Sequence, residues 1–163
     1  MSKPQRDPAS IARAVIDANS YLTVATAGHD GQPWPAPVWY AHARYREFFW
    51  VSSPGARHSR NLAERPEAGI VVFDSLTPAG DAQAVYLTAT AQEVAAEDVS
   101  RGITVYSARS EELTGRLWTA DDVRAPAPLR LYRARASGIF VVDAVDQGIP
   151  AELAGYSAMS AVG

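Results

Sequence analysis

The residues best placed for chemistry form one run, residues 52–62, with the sequence SSPGARHSRNL. It joins the end of a predicted strand to the start of a predicted helix, where free N–H groups and the helix dipole favour an anion. Arg57, Arg60 and Asn61 are spaced i, i+3 and i+4, so we expect them to share one helix face. Two arginines beside the two serines at positions 52 and 53 could clamp a phosphate through charge-assisted hydrogen bonds. On the residues alone, a solvated surface helix is an equally good interpretation.

The other candidate side chains are more typical of packing roles than of chemical roles. Trp34, Trp39 and Trp50 could stack on a ring, but large aromatic residues more often serve the core or a dimer contact. His42 could supply a proton, although its place after a strand is more typical of an exposed loop residue. Three histidines without close pairing do not predict a metal site. A Gly-x-Ser-x-Gly elbow is absent, which argues against a serine hydrolase.

The composition is typical of one globular domain with its own core. Of the 163 residues, 47% are hydrophobic and 20% are charged. The absence of cysteine excludes disulfides, cysteine zinc sites and thiol nucleophiles. A net charge of −3 argues against nucleic-acid binding. With no apolar run near the ~20 residues of a membrane span, and no signal-peptide pattern, we expect a cytoplasmic protein without a membrane partner.

The first part of the chain predicts a helix and three strands. Asp7 and Pro8 start a helix that ends near Asn19. The hydrophobic period then changes to two, and an Asp-Gly hairpin signal follows the first strand. The predicted strands cover residues 21–26, 33–41 and 47–52.

The second predicted strand is unusual because it carries prolines at positions 33, 35 and 37. Alternate N–H groups of a strand point to opposite edges, so the three prolines remove donors from the same edge. That edge cannot form a full hydrogen-bond ladder. We therefore expect it to face solvent, a bulge or a ligand.

The rest of the chain predicts a mainly β (α+β) fold, an antiparallel barrel with a few flanking helices. Its predicted helices are 56–65, 96–107 and 110–117, the last following a cap at Ser110, and its strands are 68–74, 82–94, 129–135 and 139–142. Runs of strands without regular helical crossovers favour an antiparallel barrel over a parallel sheet. Residues 1–145 are predicted to form a single domain, and residues 146–163 a C-terminal tail.

Five segments, in this order and spacing, resemble a known family. They are 22–26 (LTVAT), 30–33 (DGQP), 37–40 (PVWY), 49–53 (FWVSS) and 57–62 (RHSRNL). Together they resemble the pyridoxamine 5′-phosphate oxidase-like family of FMN-binding split β-barrels, over about residues 8 to 143. The resemblance implies a homodimer that binds FMN in grooves between its subunits and acts on a small-molecule substrate.

The resemblance also assigns roles to residues. Arg57 and His58 stand where the family places basic phosphate contacts, and the serines at 52 and 53 where it places hydroxyl contacts. The backbone of residues 37–39 would lie against the flavin ring, and no catalytic residue is assigned. The predicted cofactor-binding residues are Pro37, Val38, Trp39, Trp50, Val51, Ser52, Ser53, Arg57, His58, Arg60 and Asn61.

The sequence departs from the true oxidase in ways that bear on function. His58 stands where the oxidase has a lysine, and the arginine–histidine pair of its C-terminal substrate signature is absent after Val142. We therefore expect an FMN-dependent oxidoreductase that acts on a different small molecule. A deazaflavin-dependent reductase and a protein that stores or senses flavin or haem without turnover are the alternatives.

Overall fold

The computed structural model describes residues 7–78, 81–142, 148–151 and 153. The elements, in order, are α1 (Pro8–Ala18), β1 (Tyr21–Ala27), β2 (Pro33–Trp39), β3 (Ala41–Ala43), β4 (Glu47–Ser52), α2 (Arg57–Glu64), β5 (Glu67–Phe73), β6 (Ala84–Glu93), α3 (Val99–Thr114), a 3₁₀ turn (Ala120–Val123), β7 (Arg130–Val141) and β8 (Ile149–Pro150). In this part of the chain, no helix is long and apolar enough to cross a membrane.

The strands form one curled antiparallel sheet. Their order is β2-β1-β5-β6-β7-β4-β3, and β8 pairs with β7. β2 and β3 stand at opposite ends of this order, yet only Tyr40 separates them along the chain. The sheet must therefore curl to bring its two ends together. The result is an antiparallel half-barrel with flanking helices, which confirms the predicted fold class.

Two hydrophobic clusters hold this sheet and its helices together. The larger fills the half-barrel and includes Ile16 of α1 and Val24 of β1. The smaller lies between α3 and the outer side of β4 and β7. In it, a Cβ atom on Gly102 would come within 2.8 Å of Leu131 Cδ2 and 2.9 Å of Phe49 Cε1. Glycine is required there because α3 packs so closely on the sheet.

Local signals at the start of the chain are confirmed. The Asp7 carboxylate accepts a 3.1 Å hydrogen bond from the Ser10 N–H and caps α1. The Asp30–Gly31 turn joins β1 to β2, and Gly31 has a φ of 80°. The prediction of two helices separated at Ser110 is wrong. Ser110 is buried inside α3, where its carbonyl accepts a 2.7 Å hydrogen bond from the Thr114 hydroxyl, and the helix continues through it.

The prediction of two strands around residues 137–138 is also wrong, because β7 is continuous. The pairing with β6 shifts by one residue between Thr88 and Ala89, which leaves Ser137 as an extra residue. The Ser137 hydroxyl lies 2.9 Å from the Thr88 hydroxyl and donates to the Thr88 carbonyl at 3.1 Å. The local break in pattern is thus a bulge in one long strand.

Part of the predicted C-terminal tail belongs to the fold. Ile149 and Pro150 pair with β7. Ala151 and Leu153 are buried in the larger cluster. Residues 146–147, 152 and 154–163 of the tail lie outside the described residues, and the domain boundary at 145 stays a prediction.

Candidate functional site

The predicted phosphate-binding residues lie at the turn between β4 and α2. The Ala56 N–H donates to the Ser53 carbonyl at 3.1 Å, and the Gly55 N–H donates to the Ser53 hydroxyl at the same distance. Ala56 is the N-cap of α2, and no side chain caps the helix. Because the first N–H groups of a helix have no partner within it, this turn presents donors to an anion.

Arg57 stands beside these donors with its own hydrogen-bonding groups unused. Its guanidinium lies 4.4 Å from the centre of the Trp34 ring, in a cation–π contact. Arg57 is exposed and donates no hydrogen bond to any residue that the structure describes. The Trp34 ring thus positions a cation whose donors remain available to an oxyanion.

His58 contributes a hydrogen-bonding group to the same turn. Its Nε2 lies 2.9 Å from the Ser52 hydroxyl at the end of β4. Burial lowers the pKa of the His58 imidazole below its ordinary value of 6.5. Burial therefore favours the neutral form of His58, and arginine supplies the positive charge of the turn.

Arg60 belongs to the turn but is directed towards its backbone. Its Nη1 donates a short hydrogen bond to the Gly55 carbonyl. This bond closes the loop in front of α2. Arg60 therefore supports the shape of the turn, while Arg57 faces outward.

The structure does not bring the side chains of Trp50 and Asn61 to this surface. Trp50 is fully buried in the half-barrel, where its ring stacks on Tyr132 with centroids 5.8 Å apart. Asn61 is 8% exposed, and its Nδ2 donates to the Thr26 hydroxyl at 3.0 Å. That hydroxyl donates to the Trp34 carbonyl at 3.2 Å. Asn61 thus anchors α2 to β1 and β2.

The proline-bearing strand has a free edge, as the sequence predicts. β2 pairs only with β1 among the described strands, with Pro37 opposite Thr23. Pro37 is exposed, whereas the Val38 side chain is buried in the half-barrel. Trp39 is half-buried and makes an edge-to-face contact with Tyr106 at 5.1 Å. The outer backbone edge of this strand and its exposed proline side chains are therefore open to a ligand.

The last predicted residue, Val51, is half-buried and packs against the smaller hydrophobic cluster. Residues 53–55 and Arg57 are exposed, so this part of the turn between β4 and α2 is accessible on the single chain. Sequence reasoning missed the Trp34–Arg57 contact and the role of Thr26. Neither has a local signal, because both join residues that are distant along the chain.

Comparison with known proteins places this geometry in a family. The sequence model of the pyridoxamine 5′-phosphate oxidase family matches residues 11–143. The chain belongs to this family. The resemblance in the sequence is thereby confirmed, while the cofactor and the roles of individual residues stay predictions. No curated protein matches the sequence.

Solved structures share the fold. A heme-binding protein from Mycobacterium smegmatis superimposes with a TM-score of 0.67 at 18% identity, over 92% of this chain and 59% of that one. This family member therefore spans 59% of the length of the mycobacterial protein. The heme storage protein HutZ from Vibrio cholerae gives 0.66 at 22% identity, over 83% and 95%. An F420 reductase gives 0.58 at 14% identity, over 84% and 98%.

Proposed function

We propose that this protein is a cytoplasmic, homodimeric FMN-dependent oxidoreductase that acts on a small molecule. FMN is held by its phosphate at the turn between β4 and α2. The observation that carries this proposal is the uncapped start of α2 beside Arg57, whose guanidinium has no hydrogen-bond partner among the described residues. A helix start with an adjacent free guanidinium favours a doubly charged phosphate.

The chemistry of the donor set fits FMN. Arg57 supplies charge, the N–H groups of α2 supply neutral donors, and His58 and Ser52 supply an adjacent hydrogen-bonded pair. The free edge of β2 offers carbonyl acceptors but no N–H at its prolines, which suits a ring edge that carries an N–H group. When bound, the flavin supplies hydride transfer at its ring nitrogen. The protein supplies position and exclusion of water.

Dimer formation is supported by surface that one chain leaves uncovered. The edge of β2 is unpaired, and large apolar side chains are exposed on the described surface. They include Tyr21, Phe73, Leu76 and Leu117. A second copy that covers such surface would also enclose the exposed turn from its other side. Sedimentation as a monomer at micromolar concentration would contradict this part of the proposal.

Two other cofactors are the alternatives, and the names of the structural neighbours suggest both. A deazaflavin that carries a phosphate could use the same turn. A haem ligated by histidine would need a free ring nitrogen on that residue. His42 has Asp17 Oδ1 2.9 Å from its Nε2, and its Nδ1 accepts the Tyr45 N–H at 3.3 Å. His58 uses only its Nε2 in the contact with Ser52, and its Nδ1 has no hydrogen-bond partner among the described residues, so the histidines alone do not decide between a flavin and a haem.

The substitution Arg57→Ala tests the proposal. FMN affinity should fall about tenfold to a hundredfold, because charge-assisted hydrogen bonds to the phosphate are lost. Flavin fluorescence titration measures this. Arg13→Ala is the matched control. Arg13 lies on α1, away from the turn, and its ion pair with Asp7 is long, at 4.0 Å. Full FMN affinity in Arg57→Ala would refute the site.

A further inference from the structure

A second group of arginines surrounds a cleft at the other end of β4. The cleft has a volume of about 700 Å³ and is lined by Ala43, Arg44, Arg46, Glu47, Arg101, Arg135 and Ala136. These residues come from the β3–β4 hairpin, α3 and β7. Glu47 and Ser52 are the two ends of β4, so at ~3.3 Å per residue the cleft lies roughly 17 Å from the phosphate turn. We name it the arginine cleft.

Positive charge exceeds negative charge in the arginine cleft. Its described lining contains four arginines and one carboxylate, Glu47. Arg101 already binds both Glu47 oxygens, at 2.8 and 2.9 Å. Arg135 Nε lies 3.7 Å from the same carboxylate, whereas Arg44 is exposed and forms no ion pair with a described residue. The whole chain carries a net charge of −3, so this local surplus does not reflect a basic composition.

One arginine of the cleft, Arg101, is held in place before any ligand arrives. Arg101 is fixed by its forked contact with Glu47, and the pKa of the Glu47 carboxyl is held below its ordinary value chiefly by this hydrogen bond. Behind them, Arg133 is 3% exposed and pairs with Asp98 at 3.1 Å and with Glu47 at 3.4 Å. Groups that are already ordered lose less entropy when they bind a ligand.

The hairpin that carries Arg44 is also unusual. Arg44 and Tyr45 have φ values of 53° and 56°, in the left-handed region that residues other than glycine seldom adopt. The Arg46 N–H donates to the Ala43 carbonyl at 3.1 Å and closes the turn. This tight turn carries Arg44 and Arg46, which line the cleft together with Arg101 of α3 and Arg135 of β7.

We propose that the arginine cleft is a second binding site, for a compact small molecule that carries two or more phosphate or carboxylate groups. Guanidinium forks match the geometry of both oxyanions. The volume lies within the range of about 300–1,000 Å³ that small-molecule sites occupy. The site is separate from the proposed cofactor site and does not depend on it.

Isothermal titration of the purified protein with inorganic pyrophosphate, and separately with citrate, tests the proposal. Binding of at least one probe is expected, and the tighter probe identifies the anion class. Affinity should fall about tenfold in Arg44→Gln and in Arg135→Gln, because each substitution removes charge-assisted hydrogen bonds. Thermal unfolding checks that both variants fold, and Arg13→Gln, which removes an equal charge from α1, should bind as the wild type does.

The variant Arg57→Ala separates the two sites, because pyrophosphate could also bind at the phosphate turn. Binding that survives in Arg57→Ala and weakens in the cleft variants supports the arginine cleft. Binding of neither probe, or binding lost in Arg57→Ala and kept in the cleft variants, overturns it. A dimer that dissociates in Arg44→Gln or Arg135→Gln would also overturn it, since the cleft would then be covered by a second copy.

Discussion

Replacing Asn61 with alanine should destabilise the protein even when no cofactor is bound. The Asn61 amide, buried on α2, donates to the Thr26 hydroxyl at 3.0 Å. That hydroxyl donates to the Trp34 carbonyl on β2 at 3.2 Å. The three groups join α2 to the first two strands, so their loss should loosen the helix that carries Arg57.

The magnitude follows from what the substitution removes. One buried hydrogen bond contributes about 1 kcal/mol net. The space left by a mostly buried side chain adds about 1 kcal/mol. Alanine is a better helix former than asparagine, which offsets about 0.5 kcal/mol. The free energy of unfolding should therefore fall by about 1.5 kcal/mol in Asn61→Ala.

Urea unfolding of the cofactor-free protein measures this change. Glu64→Ala, on an exposed position of the same helix, should stay within about 0.5 kcal/mol of the wild type. In a double-mutant cycle with Thr26→Val, the two sites should couple by about 1 kcal/mol. If Asn61→Ala instead leaves the cofactor-free protein unchanged and weakens only FMN binding, Asn61 touches the cofactor and the anchoring role is refuted.

The remaining predictions concern the cation–π contact and pH. Trp34→Leu removes the cation–π contact that positions Arg57, which is worth about 0.5–1 kcal/mol, so FMN affinity should fall about twofold to fivefold in a fluorescence titration. Unchanged affinity would show that Trp34 does not contribute to FMN binding. Burial lowers the pKa of both His42 and His58 below 6.5, so each takes up a proton on unfolding at mildly acid pH. The unfolding free energy should therefore fall as the pH drops below about 6.5, and it should fall less steeply in His42→Gln. Urea unfolding at pH 7 and pH 5.5 measures both changes. A free energy of unfolding that rises on acidification would contradict this.

The fold was predictable where local chemistry and long-range packing agree. The prolines at 33, 35 and 37 indicated a free edge because a missing N–H has the same consequence in any sheet. Ser110 misled because a serine that bonds within a helix has the same sequence signature as one that caps it. The break around Ser137 was visible in the sequence, but only the pairing with β6 shows that it is a bulge.

The candidate site was predictable to the extent that it is local. Residues 52–58 lie together because a strand end, a tight turn and a helix start follow one another along the chain. Helical spacing placed Arg57 and Asn61 on one face, yet Arg57 is exposed and Asn61 is buried. The first turn of α2 lies against Trp34 and the next against Thr26, and only the packing of the helix on the strands decides this.

The arginine cleft had no comparable signal. Arg44, Arg101 and Arg135 are far apart in sequence and come together because β7 pairs with β4 and α3 packs over both. The alternation of Arg133 and Arg135 on β7 marks one face of a strand. It does not reveal which residues face that strand across the sheet.

The central claim is that the turn between β4 and α2 holds FMN by its phosphate. The visible absorption spectrum of the purified protein, with the mass of any molecule released on denaturation, tests it most directly. A flavin spectrum and the mass of FMN are expected from the wild type, with the flavin largely lost from Arg57→Ala. A colourless protein that takes up no FMN, or one that releases haem, would contradict the claim.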